Sequence, residues 1–236
     1  MEIVTTETNV GNLRRIYCEG LLELQPSSIL DVGCGNGHLL RYFAQRAISV
    51  AGLESHESAP LQEALDDLNW VAGDAEVLPF ADGAFDWVSM RHVPHHLLNP
   101  GRAFAEALRV CQRGIYVAEP YFDLSISSQA NAQELDLWLK RQHRKSGMEH
   151  HPNIDFEGLL DLLPSDQVAS TAQVTIPALG CRNIAAYFDG CLRWLNGLAG
   201  DHPEHLEFQS IFKKCQATGL GWNGSIVLTV NKKSTH

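Results

Sequence analysis

Several features are scarce or missing in this sequence of 236 residues, and each absence argues against a class of protein. It has only 18 lysines and arginines against 28 aspartates and glutamates, a formal charge of −10. Because nucleic acid backbones are held mainly by Lys and Arg, we expect no nucleic acid partner. The longest apolar stretches are far shorter than a membrane span, so we expect none.

Paired cysteine motifs are also missing. None of the six cysteines forms a C-x-x-C pair, and nothing near the N-terminus resembles a signal peptide. We therefore expect reduced thiols in a cytoplasmic protein. There is no low-complexity tract and no internal repeat, so we expect residues 1–236 to form a single domain.

Residues 29–37, with the sequence ILDVGCGNG, are the most informative stretch that is present. An apolar run containing Asp31 ends in three glycines at alternate positions, Gly33, Gly35 and Gly37. Glycine adopts positive φ and lets a ligand approach the backbone closely. Apolar residues at helical spacing follow from His38, which predicts a strand, a ligand-binding turn and a helix.

The glycine spacing separates two cofactor classes. The dinucleotide fingerprint G-x-G-x-x-G would require glycine at position 38, where this chain has His38. No Tyr-x-x-x-Lys pair is present either, which disfavours an NAD(P)-dependent oxidoreductase. G-x-G-x-G after an acidic residue resembles motif I of the class I S-adenosylmethionine-dependent methyltransferases. The alternative is a turn that only packs a strand against a helix.

A second apolar run, residues 48–53, ends at Glu54, 21 residues beyond Gly33. An acid at the tip of the second strand is placed to accept hydrogen bonds from both ribose hydroxyls. Methyltransferases and dehydrogenases share this acid, so Glu54 predicts an adenosine ligand without choosing between them.

The segment from the third strand to residue 97 carries the most specific pattern. It reads G-D-A-x-x-L-P-F over 73–80, then x-D-x-x-F-D, a strand and a histidine-rich loop. This order resembles the small-molecule methyltransferases similar to the ubiquinone and menaquinone C-methyltransferases, across roughly residues 28–120. The resemblance implies that Asp74 receives the adenine amino group and that the backbone N–H of Ala75 binds a ring nitrogen.

The cofactor implied by this resemblance is S-adenosylmethionine. The predicted cofactor-binding residues are Asp31, Gly33, Gly35, Gly37, Glu54, Asp74, Ala75 and Arg91.

Three histidines lie within five residues in the loop after the fourth strand. His95 and His92 are candidates for a general base, because imidazole titrates near neutral pH. Arg91 is a third catalytic candidate, because its planar guanidinium group can hold a substrate carboxylate. His96 is expected to shape the loop. No cysteine or carboxylate stands at a ligand spacing around them, so we expect no metal.

Strands expected at 28–32, 48–53, 69–73, 85–90 and 114–119 alternate with helical patterns. This predicts a Rossmann-like, doubly wound α/β fold with a mostly parallel seven-stranded sheet. Residues 168–176 supply another strand. Residues 223–236 are expected to hold the last strand, at 225–230, and a tail. This strand is expected to run antiparallel to the others.

Beyond the cofactor-binding core at 28–120, residues 121–222 are expected to form a helical substrate cover. Its helices are predicted over 130–145, 156–163, 184–195 and 203–214. Tyr121 and Asp123, just after a strand end, are candidate substrate contacts. Residues 144–153 have the composition of a mobile gate.

Together these patterns predict an S-adenosylmethionine-dependent methyltransferase acting on a small molecule, with the acceptor an oxygen, nitrogen or carbon atom. A second hypothesis is a non-catalytic S-adenosylmethionine-binding partner protein, and an NAD(P)-dependent oxidoreductase is a weaker third.

Overall fold

The computed structural model describes residues 10–55, 63–178 and 180–234. Their contacts divide them into two units. The first, called here the α/β unit, holds residues 15–55, 63–119, 153–174 and 226–234. The second, called the helical unit, holds residues 10–14, 120–152 and 175–225 apart from 179. Among the described residues, no helix combines the length and apolarity needed to cross a membrane.

Seven strands and seven α-helices make up the described chain. The strands are β1 (Ser28–Val32), β2 (Ser49–Glu54), β3 (Trp70–Ala72), β4 (Phe85–Arg91), β5 (Cys111–Tyr121), β6 (Val168–Ile176) and β7 (Gly224–Lys232). The helices are α1 (Val10–Glu23), α2 (His38–Ala44), α3 (Pro100–Val110), α4 (Ser127–Lys145), α5 (Phe156–Asp161), α6 (Ile184–Cys191) and α7 (Pro203–Thr218). Short 3₁₀ helices span Pro94–His96 and Leu192–Leu195.

The strands form one sheet in the order β3-β2-β1-β4-β5-β7-β6. β1 pairs in parallel with both β2 and β4, and β4 pairs in parallel with β5. Six strands are parallel and the last strand, β7, is antiparallel, which confirms the predicted fold class. The strand order reverses direction between β1 and β4, the place where open sheets of this kind bind ligands.

The core of the α/β unit explains why its central strands are continuously apolar. Leu30 and Val32 of β1, Val88 of β4 and Val117 of β5 are all fully buried. Helices on both faces remove both sides of a parallel sheet from water, so alternation of polar and apolar residues is lost. Each such side chain contributes about 1.5–3 kcal/mol when it is buried.

Helix α3 packs on this sheet through Phe104 and Leu108, and Pro100 occupies its first turn. The sequence places Asn99 in the cap position, but its side chain makes no capping hydrogen bond. The Asn99 side-chain amide instead donates to Glu76 Oε2 at 3.0 Å, and the Asn99 backbone N–H donates to Glu76 Oε1 at 2.7 Å. Asn99 thus occupies the predicted cap position, while its side chain bonds the nearby Glu76 carboxylate instead of the N–H groups of the helix.

In the helical unit, α4 and α7 lie antiparallel and are joined at both ends. Asn131 Nδ2, near the start of α4, donates to the carbonyl oxygens of Lys214 and Gly219 at 3.2 and 2.9 Å. Gln142 Nε2, near the end of α4, donates to Glu204 Oε2 in the first turn of α7 at 2.6 Å. Trp138 packs on Phe208 between these two ties, with ring centroids 4.8 Å apart.

The helix predicted over residues 184–195 ends earlier. It is α-helical only over Ile184–Cys191 and continues as the 3₁₀ turn Leu192–Leu195. The aromatic residues of this segment belong mainly to the core of the helical unit, with Phe188 buried and Tyr187 and Trp194 partly buried against it. The role of residues 121–222 as a substrate cover stays a prediction.

Gly114 provides a test of how tightly β5 and β7 are packed. A Cβ at Gly114 would lie 1.9 Å from the carbonyl oxygen of Val230. Gly114→Ala should therefore lower the free energy of unfolding by about 3 kcal/mol. Gly101→Ala is the control, because its Cβ would meet Leu162 at an ordinary 3.8 Å and alanine favours the helix by roughly 0.5 kcal/mol. Urea unfolding measures both, and a Gly114→Ala protein as stable as the wild type contradicts the packing.

Candidate functional site

The turn after β1 is built from three left-handed glycines. Gly33, Gly35 and Gly37 have φ of 69°, 52° and 75°, values that side-chain-bearing residues rarely adopt. The Gly33 N–H donates to the carbonyl oxygen of Leu53 at 2.7 Å, which fastens the turn to β2. A Cβ on Gly33 would lie 2.4 Å from Val93 Cγ2. Glycine at this position thus permits both the left-handed backbone conformation and the close approach of the turn to Val93.

Gly35 is different, because a Cβ there would meet no atom within 4 Å. Its N–H donates to Glu54 Oε2 at 2.9 Å, and Glu54 Oε1 accepts the Ser55 N–H at 2.8 Å. The structure therefore brings Glu54 to the open side of the glycine turn. A carboxylate has about four acceptor sites, so Glu54 has capacity for ribose hydroxyls besides these two bonds.

Asp74 and Ala75 follow β3 beside this turn. The Gly73 N–H donates to the Glu54 carbonyl oxygen at 3.0 Å, which joins the two strand ends. Asp74 Oδ1 accepts the Glu76 N–H at 2.8 Å. Ala75 is only 6% exposed, and within the described chain no residue accepts its backbone N–H. This buried donor suits a ring nitrogen of an adenine base.

The loop that carries Asp74 is braced from behind by α3. Glu106 Oε2 accepts the Leu78 N–H at 2.8 Å, and Arg109 donates to the carbonyl oxygens of Leu78 and Phe80 at 2.9 and 2.8 Å. Hydrogen bonds donated by Arg109 are the main cause of the lowered Glu106 pKa, and the same bonds to the Glu106 carboxylate are the main cause of the raised pKa of Arg109. This ion pair thus holds the loop in place through its backbone.

Asp31 lies beneath the turn rather than on its surface. It is 5% exposed, and Oδ1 accepts a hydrogen bond from Ser89 Oγ at 2.9 Å. Ser89 in turn lies 3.0 Å from the hydroxyl of Tyr17, which donates to the carbonyl oxygen of Tyr116. Burial raises the pKa of Asp31 to about 7, against the lowering effects of Ser89 and Arg91.

The end of β4 positions Arg91, His92 and His95. His92 has φ 59°, unusual for a side-chain-bearing residue, and its N–H donates to the Ala118 carbonyl oxygen at 2.7 Å. The backbone then turns through Pro94–His96, which buries His95 and leaves His96 exposed. The expected role of His96 in shaping the loop stays a prediction.

His95 forms a buried pair with Glu119 of β5. His95 Nδ1 lies 2.7 and 2.9 Å from the two carboxylate oxygens of Glu119. Their side chains are 4% and 0% exposed. An ionised Glu119 can only accept, so Nδ1 carries the proton and Nε2 is the basic nitrogen. The sequence places Glu119 at a strand end but gives no sign of this partnership, since the two residues are 24 positions apart.

Tyr121 and Asp123 belong to the helical unit. Tyr121 is the last residue of β5. Asp123 is partly exposed and accepts hydrogen bonds from the Ser125 N–H and hydroxyl at 3.0 and 2.6 Å, which lower its pKa. Its N–H donates to Gln129 Oε1. Asp123 thus has a local structural role, and substrate contact by either residue stays a prediction.

The segment 144–153 is tied back to the end of α4. Met148 N–H donates to the His143 carbonyl oxygen at 3.1 Å, and the His143 and His150 rings share a hydrogen bond through their Nδ1 atoms. Gly147 has φ 87°, with open space where a Cβ would be. Opening of this segment would break these bonds, and its role as a gate stays a prediction.

Comparison with known proteins agrees with this geometry. Residues 30–118 match the family described as the methyltransferase domain. The chain is 33% identical over 122 residues to phthiotriol/phenolphthiotriol dimycocerosates methyltransferase of Mycobacterium tuberculosis, which covers 49% of this chain and 44% of that protein. It is 32% identical over 130 residues to ubiquinone/menaquinone biosynthesis C-methyltransferase UbiE of Roseobacter denitrificans, which covers 48% and 50%.

The match to the methyltransferase domain family covers less than half of this chain. A Bacillus halodurans protein that has been proposed to be a methyltransferase shares the fold, with a TM-score of 0.60 and 18% identity over 92% of this chain and 99% of that one. The chain spans about half the length of the curated relatives that it matches.

Gly35 and Gly33 of the glycine turn lead to different predictions for ligand binding and for stability. Gly35→Ala places a methyl group in open space, so the only stability cost is left-handed strain, about 1 kcal/mol. That methyl group would stand where the ligand must approach, and S-adenosylmethionine should bind at least tenfold more weakly. Calorimetric titration and thermal unfolding measure the two effects.

Gly33→Ala is the matched comparison. Gly33→Ala should destabilise the protein by more than Gly35→Ala does. Both variants carry left-handed strain, but only the methyl group at position 33 would also clash with Val93, at 2.4 Å. Unchanged S-adenosylmethionine affinity in a folded Gly35→Ala protein would show that the ligand lies elsewhere.

Asp31 predicts a pH dependence of stability. Because its pKa is raised to about 7 in the folded protein, folding takes up a proton. Its stabilising contribution is full at low pH and is lost as pH rises from about 4 through about 7. Asp31→Asn should therefore gain stability over the wild type as pH rises, by about 1.4 kcal/mol for each pKa unit of the shift.

Urea unfolding of both proteins between pH 4 and pH 8 measures this difference. Asp161→Asn, at an exposed position in α5, is the control and should show no such trend. A constant difference between Asp31→Asn and the wild type across this range contradicts the proposed environment of Asp31.

Proposed function

We propose that this protein is an S-adenosylmethionine-dependent methyltransferase that acts on a small molecule. The observation that carries the proposal is the arrangement of Gly35 and Glu54. A left-handed glycine with open space over it has its N–H held by a carboxylate from the next strand. This combination presents acceptors for ribose hydroxyls and leaves the backbone uncovered beside them.

The chain's own residues fit the proposed cofactor. Glu54 would hold the ribose, and Asp74 with the Ala75 N–H would hold the adenine, an acceptor and a donor matched to an amino group and a ring nitrogen. Asp31 supports the turn from below and, being buried, acts by positioning. Arg91 completes the proposed set at the end of β4.

The proposed methyl transfer needs a correctly placed acceptor atom. An oxygen or carbon acceptor must also lose a proton. The bound cofactor would supply a methyl group on a sulfonium, with its leaving group built in. We assign the proton acceptor to His95 Nε2. Glu119 fixes the ring and stabilises the imidazolium that forms, as buried carboxylates do for catalytic histidines.

The substrate class rests on the relatives and on charge. The names of the two relatives refer to phthiotriol dimycocerosates and to ubiquinone or menaquinone biosynthesis, and neither name mentions a protein or a nucleic acid. The formal charge of −10 also opposes binding of a polyanion. We therefore propose a small-molecule acceptor, and a cytoplasmic location stays a prediction.

Two steps test the proposed function. Calorimetric titration should give saturable binding of S-adenosylmethionine and none of NAD. Labelled methyl transfer to a panel of phenols, quinols, amines and lipid alcohols should then identify an acceptor. His95→Gln keeps a donor for Glu119 while removing the base, so it should lower turnover of an oxygen or carbon acceptor about a hundredfold. The cofactor dissociation constant should change less than twofold.

Each result has a distinct meaning. Binding of NAD instead of S-adenosylmethionine would refute the cofactor assignment. Binding without transfer to any of these acceptors would refute the catalytic proposal and leave a binding protein. Full turnover by His95→Gln would refute the role of His95 alone.

A further inference from the structure

A chain of hydrogen bonds runs from β1, just before the glycine turn, through the interior of the α/β unit to β5. Asp31 Oδ1 lies 2.9 Å from Ser89 Oγ, and Ser89 Oγ lies 3.0 Å from the Tyr17 hydroxyl. The Tyr17 hydroxyl donates to the Tyr116 carbonyl oxygen at 2.7 Å. All four residues are buried, with at most 7% exposure, so each polar group needs a partner inside the protein.

Each of these three contacts needs one hydrogen atom. The hydroxyls of Ser89 and Tyr17 supply two of them. An ionised Asp31 supplies none, so one contact would then bring two oxygen lone pairs together with no hydrogen between them. A protonated Asp31 supplies the third, and every hydrogen then points the same way, from Asp31 to Ser89, on to Tyr17 and finally to β5. The geometry therefore matches a neutral Asp31.

The surroundings of Asp31 favour the neutral form as well. Its Oδ2 atom makes no hydrogen bond within the described chain, so an ionised carboxylate would have Ser89 as its single donor there. Burial raises the pKa of Asp31 to about 7. Ser89 and Arg91 lower this pKa, and the charge of Glu54 raises it. The other titratable groups that face Asp31 stay neutral, because burial raises the pKa values of Tyr17, Cys18 and Cys34.

We infer that Tyr17 and Ser89 hold Asp31 protonated in the free protein, and that this proton leaves to solvent when S-adenosylmethionine binds. The inference rests on the proposed function. In this step the Oδ1–H bond of Asp31 breaks, and water takes the proton. Tyr17 and Ser89 are thus positioning residues, which act on the cofactor site through Asp31.

The location of Asp31 explains the coupling. It precedes the first glycine of the turn by two residues and lies within electrostatic reach of Glu54, the proposed ribose ligand. S-adenosylmethionine carries a net positive charge, and a nearby cation favours the ionised form of a carboxyl group. The demethylated product, S-adenosylhomocysteine, lacks the sulfonium charge and should favour it less.

The protonation of Asp31 can be measured without the cofactor, by infrared spectroscopy of protein that contains carbon-13-labelled aspartate. The protonated-carboxyl band that disappears in Asp31→Asn reports Asp31, and its intensity against pH gives the titration midpoint. Tyr17→Phe should lower this midpoint, because the Ser89 hydroxyl can then donate to the carboxylate without leaving another contact empty. Ser89→Ala should raise it, because the carboxylate loses its donor. Each shift should be about 0.5–1 pH unit, the effect of one hydrogen bond.

Tyr42→Phe is the control for Tyr17→Phe. Tyr42 is partly exposed on α2 and lies outside the chain of hydrogen bonds, so its replacement should leave the midpoint unchanged.

Calorimetric titration in two buffers of different ionisation enthalpy counts the protons released on binding. At pH 6.5 the wild-type protein should release about half a proton with S-adenosylmethionine, if the bound cation lowers the pKa of Asp31 by about one unit. It should release less with S-adenosylhomocysteine, and Asp31→Asn should abolish the difference between the two ligands. The affinity of the wild-type protein for S-adenosylmethionine should rise about tenfold between roughly pH 5 and pH 8.

The two parts of the inference fail separately. Absence of the Asp31 band at pH 6 overturns the hydrogen-bond chain, and so do midpoints of Tyr17→Phe and Ser89→Ala that do not move in opposite directions. Equal proton release with the two ligands, or an undiminished difference in Asp31→Asn, overturns the coupling. Failure of S-adenosylmethionine to bind at all refutes the proposed function and the coupling with it, while the band in the free protein still decides the state of Asp31.

Discussion

The structure depends on the absence of a Cβ atom at Gly33. The chain leaves β1, turns in the left-handed region and passes against Val93, while the Gly33 N–H is held by the Leu53 carbonyl oxygen at 2.7 Å. Because β1 lies between β2 and β4, this turn sets where both neighbouring strand ends can go. Glu54 reaches the Gly35 N–H only because the turn approaches β2 so closely.

Behind the turn, buried polar groups come with partners, which keeps the site rigid. Asp31 is bonded to Ser89, and His95 is bonded to Glu119. Groups of this kind are costly to bury alone and stabilise one arrangement when they are paired. The Glu106–Arg109 pair does the same for the loop that carries Asp74. Rigidity would suit the proposed methyl transfer, because the main task of such a site is to align two reactants.

Much of this fold could be predicted from the sequence, because the strands and helices follow from local patterns of apolar and polar residues. The alternation of residues 168–176 predicts β6 with the bounds observed, and the apolar runs place the parallel strands within a few residues. The spacing of the three glycines predicts S-adenosylmethionine over a dinucleotide, and this stays a prediction. Asn99 occupies the predicted cap position, but its side chain bonds Glu76, 23 positions away, and this partner could not be read from the local sequence.

The local sequence alone determines the order of the strands and helices, the left-handed turn and the positions of the acids that follow the strands. These features depend on residues only a few positions apart. The burial of Asp31 and the meeting of His95 with Glu119 arise instead from packing between distant segments. The same kind of packing buries His205 Nε2, which has no hydrogen-bond partner within the described chain. Burial and pairing depend on which distant segments come together, and no local pattern carries that information.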